Sequence, residues 1–326
     1  MRKLLLAAVM AVAGVMLTSC YSRIDFEGLL PEPVPVINAV ASPGNVVRAS
    51  ISRTYSVEEN TADLYIRDAD VTLTVNGSYT EQMTMVEFDT VINYGYEPWH
   101  VVTYVSTYRP QVGDRIEISA STPYGEAHCS DEIPVPVAIR GVQTTLEPAE
   151  GYGSYQSNIY DVTYHVKFSD PAGVPNYYLV NVSAKDFWAS GSVGYIEYID
   201  PVFEMQNRDI TEIGSENSMR NGWGWTFSDE TIDGQDYSLT LKETDVMLDR
   251  NSTDPWQRQR SVRLYSLSES YYKYLRSVLK SDQREESSIG DIGILEPVAI
   301  FSNVDGGTGV FGAMGMTEMS FNIKLP

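Results

Sequence analysis

Three histidines, two cysteines and a few acidic loops are the side chains of this 326-residue sequence from which catalytic chemistry would have to be built. His100, His128 and His165 lack metal-site spacing, and no G-x-S-x-G or H-E-x-x-H motif occurs. A thiol–imidazole pair at His128 and Cys129 would need both groups on one side, but adjacent strand residues point to opposite faces. His165 is expected outward with Thr163 and Lys167. Asp249, Asn251, Thr253 and Asp254 offer loop oxygens without the turn glycine or distal glutamate of an EF-hand, so they read as a solvated loop. Gly307-x-Gly309-x-x-Gly312 spells a dinucleotide fingerprint, yet no helix follows to meet a pyrophosphate; it reads as a buried strand or bend with close backbone approach. No catalytic residue, metal or cofactor is therefore expected, and the chain reads as non-enzymatic. The 22 tyrosines and 5 tryptophans are a different resource. Tyr152, Tyr155, Trp223 and Trp225 sit among Gly, Ser and Asn, where rings can stack on a ligand or anchor a partner. The competing reading folds those rings back over the core.

Cys20 is the one cysteine with an evident job. Arg2 and Lys3 precede an apolar run from Leu4 to Met16, the length of a signal-peptide core and short of the roughly 20 residues that span a bilayer. The run leads into Leu17-Thr18-Ser19-Cys20, which resembles the lipobox of bacterial lipoproteins. That resemblance implies cleavage after Ser19 and acylation of Cys20. Diacylglycerol plus an N-acyl chain places several tens of CH2 groups in the bilayer at about 0.8 kcal/mol each, a stable anchor.

Without residues 1–19 the chain keeps 21 basic and 44 acidic side chains, a formal charge of −23. Such a field repels phosphate backbones, so nucleic acid is not an expected partner. With Cys20 acylated, Cys129 has no partner for a disulfide, and stability must come from packing.

The elements that position these residues read as mainly β, in two β-sandwich-like domains on a stalk. Residues 20–35, ending Pro-Glu-Pro-Val-Pro, form an extended lipidated spacer. Residues 36–137 read as an immunoglobulin-like domain: Val71, Leu73 and Val75 share a face before an Asn76-Gly77 hairpin turn, and Ile116 and Ile118 repeat the pattern after Gly113-Asp114. Ile133-Pro-Val-Pro-Val137 marks the boundary to residues 138–326. There Val162, Tyr164, Val166 and Phe168 share one face, as do Tyr178, Val180 and Val182, with further strands at 237–241, 262–264 and 319–325. One amphipathic helix is expected near 267–281, capped by Ser266 with Glu269 and burying Tyr271, Leu275, Val278 and Leu279.

The stretch VRLYSLSESYYKYLRSVLKSDQ from Val262, followed by ILEPVAIFSNVDGGTGVFGAMG, resembles a Bacteroidetes lipoprotein family, domain of unknown function 4249. Asn176-Tyr177-Tyr178 and FSDETIDGQDY (227–237) extend the resemblance over most of the mature chain. The family carries no assigned reaction. Its genes commonly stand beside TonB-dependent receptors, which implies an outer-membrane, cell-surface lipoprotein that assists such a receptor in capturing a ligand whose identity the sequence does not name. A structural or adhesive surface lipoprotein is the rival expectation.

Overall fold

The computed structural model describes residues 32–56, 59, 63–90, 99–150, 158–184, 196–206, 224–249, 255–285 and 299–325. The chain is mainly β. The N-terminal half supplies β1 (Pro35–Ala41), β2 (Arg48–Arg53), β3 (Asp70–Val75), β4 (Tyr79–Gln82), β5 (Thr84–Thr90), β6 (Trp99–Val105), β7 (Arg115–Thr122) and β8 (Gly125–Glu132). The C-terminal half supplies β9 (Gly141–Pro148), β10 (Ile159–Ser169), β11 (Tyr177–Ala184), β12 (Ile196–Glu197), β13 (Trp225–Ser228), β14 (Asp236–Met247), β15 (Gln259–Leu267) and β16 (Thr308–Asn322). Helices α1 (Pro201–Gln206), α2 (Pro255–Arg258) and α3 (Glu269–Glu285) complete the described elements.

Alternating side chains generate these strands and decide what they bury. Val71, Leu73 and Val75, then Ile116 and Ile118, are all essentially inaccessible, and so are Val162, Tyr164, Val166 and Phe168. The Asn76-Gly77 turn has φ of 53° and 64°, the left-handed pair that a tight hairpin needs.

One eight-stranded sheet, ordered β13-β11-β15-β16-β1-β2-β6-β5, runs through both halves. A four-stranded sheet β4-β3-β7-β8 packs on its N-terminal part, and β12-β14-β10-β9 packs on its C-terminal part. The hinge of this arrangement is β16. Its first residues pair in parallel with β1 (Val36↔Thr308 to Ala41↔Ala313), and its later ones pair antiparallel with β15 (Leu267↔Met314 to Gln259↔Asn322). The first core accordingly holds residues from Ile37 to Ile133 together with Val304, Phe311 and Ala313 from the chain's end, while the second begins at Val137. Residues 36–137 thus share their core with the C-terminal strand, and all these elements lie in one compact unit, Val34–Thr54 with Thr61–Pro326.

Glycine makes that sharing possible. Gly309 has φ +111°, and a Cβ there would lie 2.2 Å from the carbonyl oxygen of Ile37, its neighbour on β1. A side chain would force the two strands apart. The glycine-rich stretch is thus a strand with close backbone approach, as its composition suggests.

Helix α3 lies over the outer face of the large sheet, where Tyr271 joins Leu179 and Leu267, flanked by Tyr177, Tyr265, Tyr272 and Leu275. Its cap differs from the expected one. Ser266 lies in β15 and its hydroxyl accepts from Val137 N at 3.1 Å, so it is Ser268 that accepts from Tyr271 N at 3.3 Å. A strand that continues to Leu267 moves the helix start two residues along.

Candidate functional site

The sequence-selected contacts part company in the structure. Cys20, Tyr152, Tyr155 and Trp223 lie outside the described residues. Trp225 is in β13, where it is 8 % exposed and stacks on Tyr198 with ring centroids 5.2 Å apart, edge-on to Phe203 at 6.3 Å. Its expected role as an exposed contact is therefore corrected: strand pairing of β13 with β11 turns this ring into the second core. The next glycine explains the local sequence, since Gly224 (φ +103°) sits with its Cβ position 2.2 Å from Val180 O.

The candidate catalytic groups are separated or committed. His128 is 58 % exposed beside Asp305, while Cys129 is 3 % exposed on the opposite face of β8. Burial, with Asp131 and Glu117 nearby, pushes the Cys129 thiol up to about 12, so it remains a protonated thiol at neutral pH. His165 pairs across the strands with Thr240 between fully buried Tyr164 and Val166. Of the acidic loop at 249–254 only Asp249 is described; its backbone N donates to Gln257 and its carbonyl accepts from Arg258.

Two polar clusters emerge that the sequence did not single out. The first is inside the second sandwich. Arg260 of β15 forks onto Glu243 of β14, Nε to Oε2 at 2.8 Å and a terminal nitrogen to Oε1 at 2.9 Å, and the Tyr164 hydroxyl donates to the same carboxylate. Arg260 and Glu243 are 2 % and 0 % exposed. This pair joins the two sheets across their interface. Burial disfavours the charged guanidinium, yet the Glu243 contact outweighs it and holds the Arg260 value above the ordinary one, so the guanidinium stays charged where it meets Glu243.

The second cluster lies where two turns meet. Asp170 follows β10, Asp229 and Asp233 follow β13, and one oxygen from each lies within 4.8 Å of the others. Three carboxylates so placed are the hard-oxygen type of group that holds calcium or magnesium. Their oxygens already receive protein donors: Asp170 takes Tyr178 OH at 2.5 Å and Gly234 N at 2.9 Å, Asp229 takes Asn176 N at 2.8 Å, and Asp233 takes Gly173 N at 2.7 Å. Burial, then Asp229 and Asp233, raises the Asp170 carboxyl above its usual range. The arrangement locks the β10–β11 turn against the β13–β14 turn. The sequence signal for it was the Asp-Pro turn at 170 and the paired aspartates of Asp229-Glu-Thr-Ile-Asp233, which spacing alone does not connect across about 60 residues of chain.

Two sandwiches sharing one sheet, with charge enclosed between the sheets of the second, make up the β scaffold, and a family match spans both. The chain belongs to the family described as domain of unknown function 4249, whose model matches residues 23–320. No curated protein matches it in sequence.

Proposed function

We propose that this protein is a membrane-tethered binding protein and not an enzyme, anchored by acylated Cys20 in the outer membrane and working as the accessory partner of a TonB-dependent receptor at the cell surface. The observation that carries this reading is the commitment to structure of the buried thiol and of two polar clusters among the described residues. The Cys129 thiol is buried and held protonated, the Arg260–Glu243–Tyr164 set bridges two sheets, and the Asp170, Asp229 and Asp233 oxygens receive donors from the turns they lock. Catalysis requires a nucleophile or metal held within reach of an oriented base. Binding requires a stiff framework and confinement to the partner's surface, which raises effective concentration.

The test is purification of the intact lipidated chain from membranes. An outer-membrane receptor is expected to accompany the wild type and to be lost with Cys20→Ala, which releases the protein or stalls its processing. Recovery of the lipidated chain with no outer-membrane protein attached, after crosslinking in whole cells, overturns the receptor reading. Membrane retention of a signal-cleaved Cys20→Ala protein overturns the tether.

A further inference from the structure

At β5 the large sheet ends in a strand with one side unpaired among the described residues. β2 and β6 pair only through Arg48↔Val105 and Ala49↔Tyr104. Beyond that point the ladder of β2 is taken by residues 64–66: Ile66 N donates to Ile51 O at 3.0 Å, Arg53 N donates to Leu64 O at 3.1 Å, and Tyr65 bridges Ser52. The β5–β6 hairpin is thereby split from β2 and continues as an arm, in register from Thr84↔Val105 to Thr90↔Trp99. Among the described residues no strand lies on the other side of β5.

The two faces of this arm differ in chemistry. Val86 and Phe88 point to one side, 38 % and 42 % exposed, with Val101 opposite Phe88. Glu87 and Asp89 point to the other, where His100 lies between them (Nε2 to Glu87 at 2.5 Å, Nδ1 to Asp89 at 2.8 Å) and Arg67 meets Glu87 at 3.0 Å. The sequence of β5, Thr-Met-Val-Glu-Phe-Asp-Thr, has no proline or lysine to blunt its edge, and its edge charge comes from Glu87 and Asp89 alone. Its two acidic residues disfavour a particular kind of neighbour. In an antiparallel second copy, registers that set Phe88 opposite Phe88 or Val86 also set Glu87 opposite Asp89 or a second Glu87, and like charges facing each other are destabilising.

We propose that β5 is a strand-addition site for an extended segment of a partner protein in which basic and apolar residues alternate. Main-chain hydrogen bonds to the open edge supply affinity, apolar side chains cover Val86 and Phe88, and lysine or arginine meets Glu87 and Asp89. This names a surface and a partner chemistry, and it does not depend on the receptor reading.

The probe is a fluorescein-labelled ten-residue peptide of alternating lysine and valine, titrated into the intact lipidated protein in detergent micelles. Saturable binding is expected, with slowed amide exchange confined to Thr84–Thr90. The Val86→Lys/Phe88→Lys double variant, with Tm unchanged, is expected to bind at least about ten-fold more weakly, equivalent to about 1.4 kcal/mol. A glutamate–valine peptide should not bind. If the lysine variant fails to fold, Glu87→Gln/Asp89→Asn replaces it and should weaken the lysine peptide while admitting the glutamate one. The proposal is overturned if no binding occurs, if a peptide of five lysines followed by five valines binds equally, or if β5 amides stay unprotected. Protection of β5 that grows with protein concentration without peptide overturns it in favour of a second copy.

Discussion

The two cores handle charge in opposite ways. The first is built from aliphatic and small residues with Tyr104 and Phe311, and the ion pairs beside it, Arg67–Glu87 and His100 with Glu87 and Asp89, lie on the arm with side chains a third or more exposed. The second is rich in aromatic rings, with Phe168, Tyr178, Phe227 and Phe203 in successive contact, and it encloses Arg260 and Glu243 completely. A buried ion pair adds little stability over a well-packed apolar substitute, because both ions lose water. It does penalise any sheet-on-sheet placement that separates its members. The first core is specified differently, by capture of a strand from 272 residues away, Ala39↔Phe311 in the ladder.

Breaking the enclosed pair should have the largest effect. Arg260→Leu removes the guanidinium from a fully buried carboxylate, and the expected loss is about 3–5 kcal/mol in denaturant unfolding. Arg260→Met with Glu243→Leu should recover most of that loss. A single variant that unfolds like wild type would show that the carboxylate is neutral and the pair is not ionic. Next in size, Gly309→Ala should break the first core. The left-handed φ alone costs about 1–3 kcal/mol, and the Cβ would also meet Ile37 O at 2.2 Å. Hydrogen exchange should then accelerate in β1 and the start of β16 before it does so in β10 and β14; uniform acceleration would mean the two cores unfold as one.

Most of this contrast was hidden in the sequence, and the reason is distance along the chain. Period-two patterns displayed several of the strands and a buried face of each, from Val71-Leu73-Val75 to Tyr178-Val180-Val182, because alternation is a local property. The helix was legible for the same reason, although its cap fell on Ser268. Parallel pairing of β1 with β16 was not legible, since nothing local in Gly-Val-Phe-Gly announces which strand it will join. The buried pair was invisible too: Arg260 and Glu243 occupy alternating positions that look solvated until their strands are placed face to face. Of the aromatic contacts only Trp225 is described, and its neighbour Gly224, part of the glycine pattern that suggested an exposed loop, is there to admit Val180 O.

The junction between the cores should respond to pH. The Ser268 hydroxyl accepts from Tyr271 N at 3.3 Å and Ala313 N at 3.1 Å, which directs its proton to Asp131 Oδ2 at 2.5 Å. Burial pushes the Asp131 carboxyl up to about 6, opposed first by the hydrogen bond from Ser268, then by that from the Glu132 backbone and by Arg115. A carboxyl raised above its unfolded value keeps a proton that the unfolded chain releases. Its contribution is therefore most favourable below about pH 4 and declines as pH rises through 6. Asp131→Asn should flatten that slope and raise stability at pH 7 by about 1–2 kcal/mol, read from unfolding midpoints across pH 4–7. An unchanged slope would place the titration elsewhere.

The smallest expected effect is on the arm, and it sharpens the contrast between exposed and enclosed charge. Asp89 first and Glu87 second hold the His100 imidazolium in place and raise its pKa above that of a free histidine, in a setting open to solvent. A raised histidine contributes stability that is complete below its unfolded pKa and lost as pH rises through the folded one. Exposed pairs are screened by salt, so the raised value should fall toward the free-histidine value in 0.5 M sodium chloride, whereas the penalty of Arg260→Leu should barely change. An NMR titration of His100 reads this directly, with Asp89→Asn expected to lower its pKa. If His100 titrated like a free imidazole at low salt, its bonds to Glu87 and Asp89 would not persist in solution. Both acidic side chains of β5 would then face solvent without that counter-charge, and the arm would present a more negative edge to an incoming basic strand.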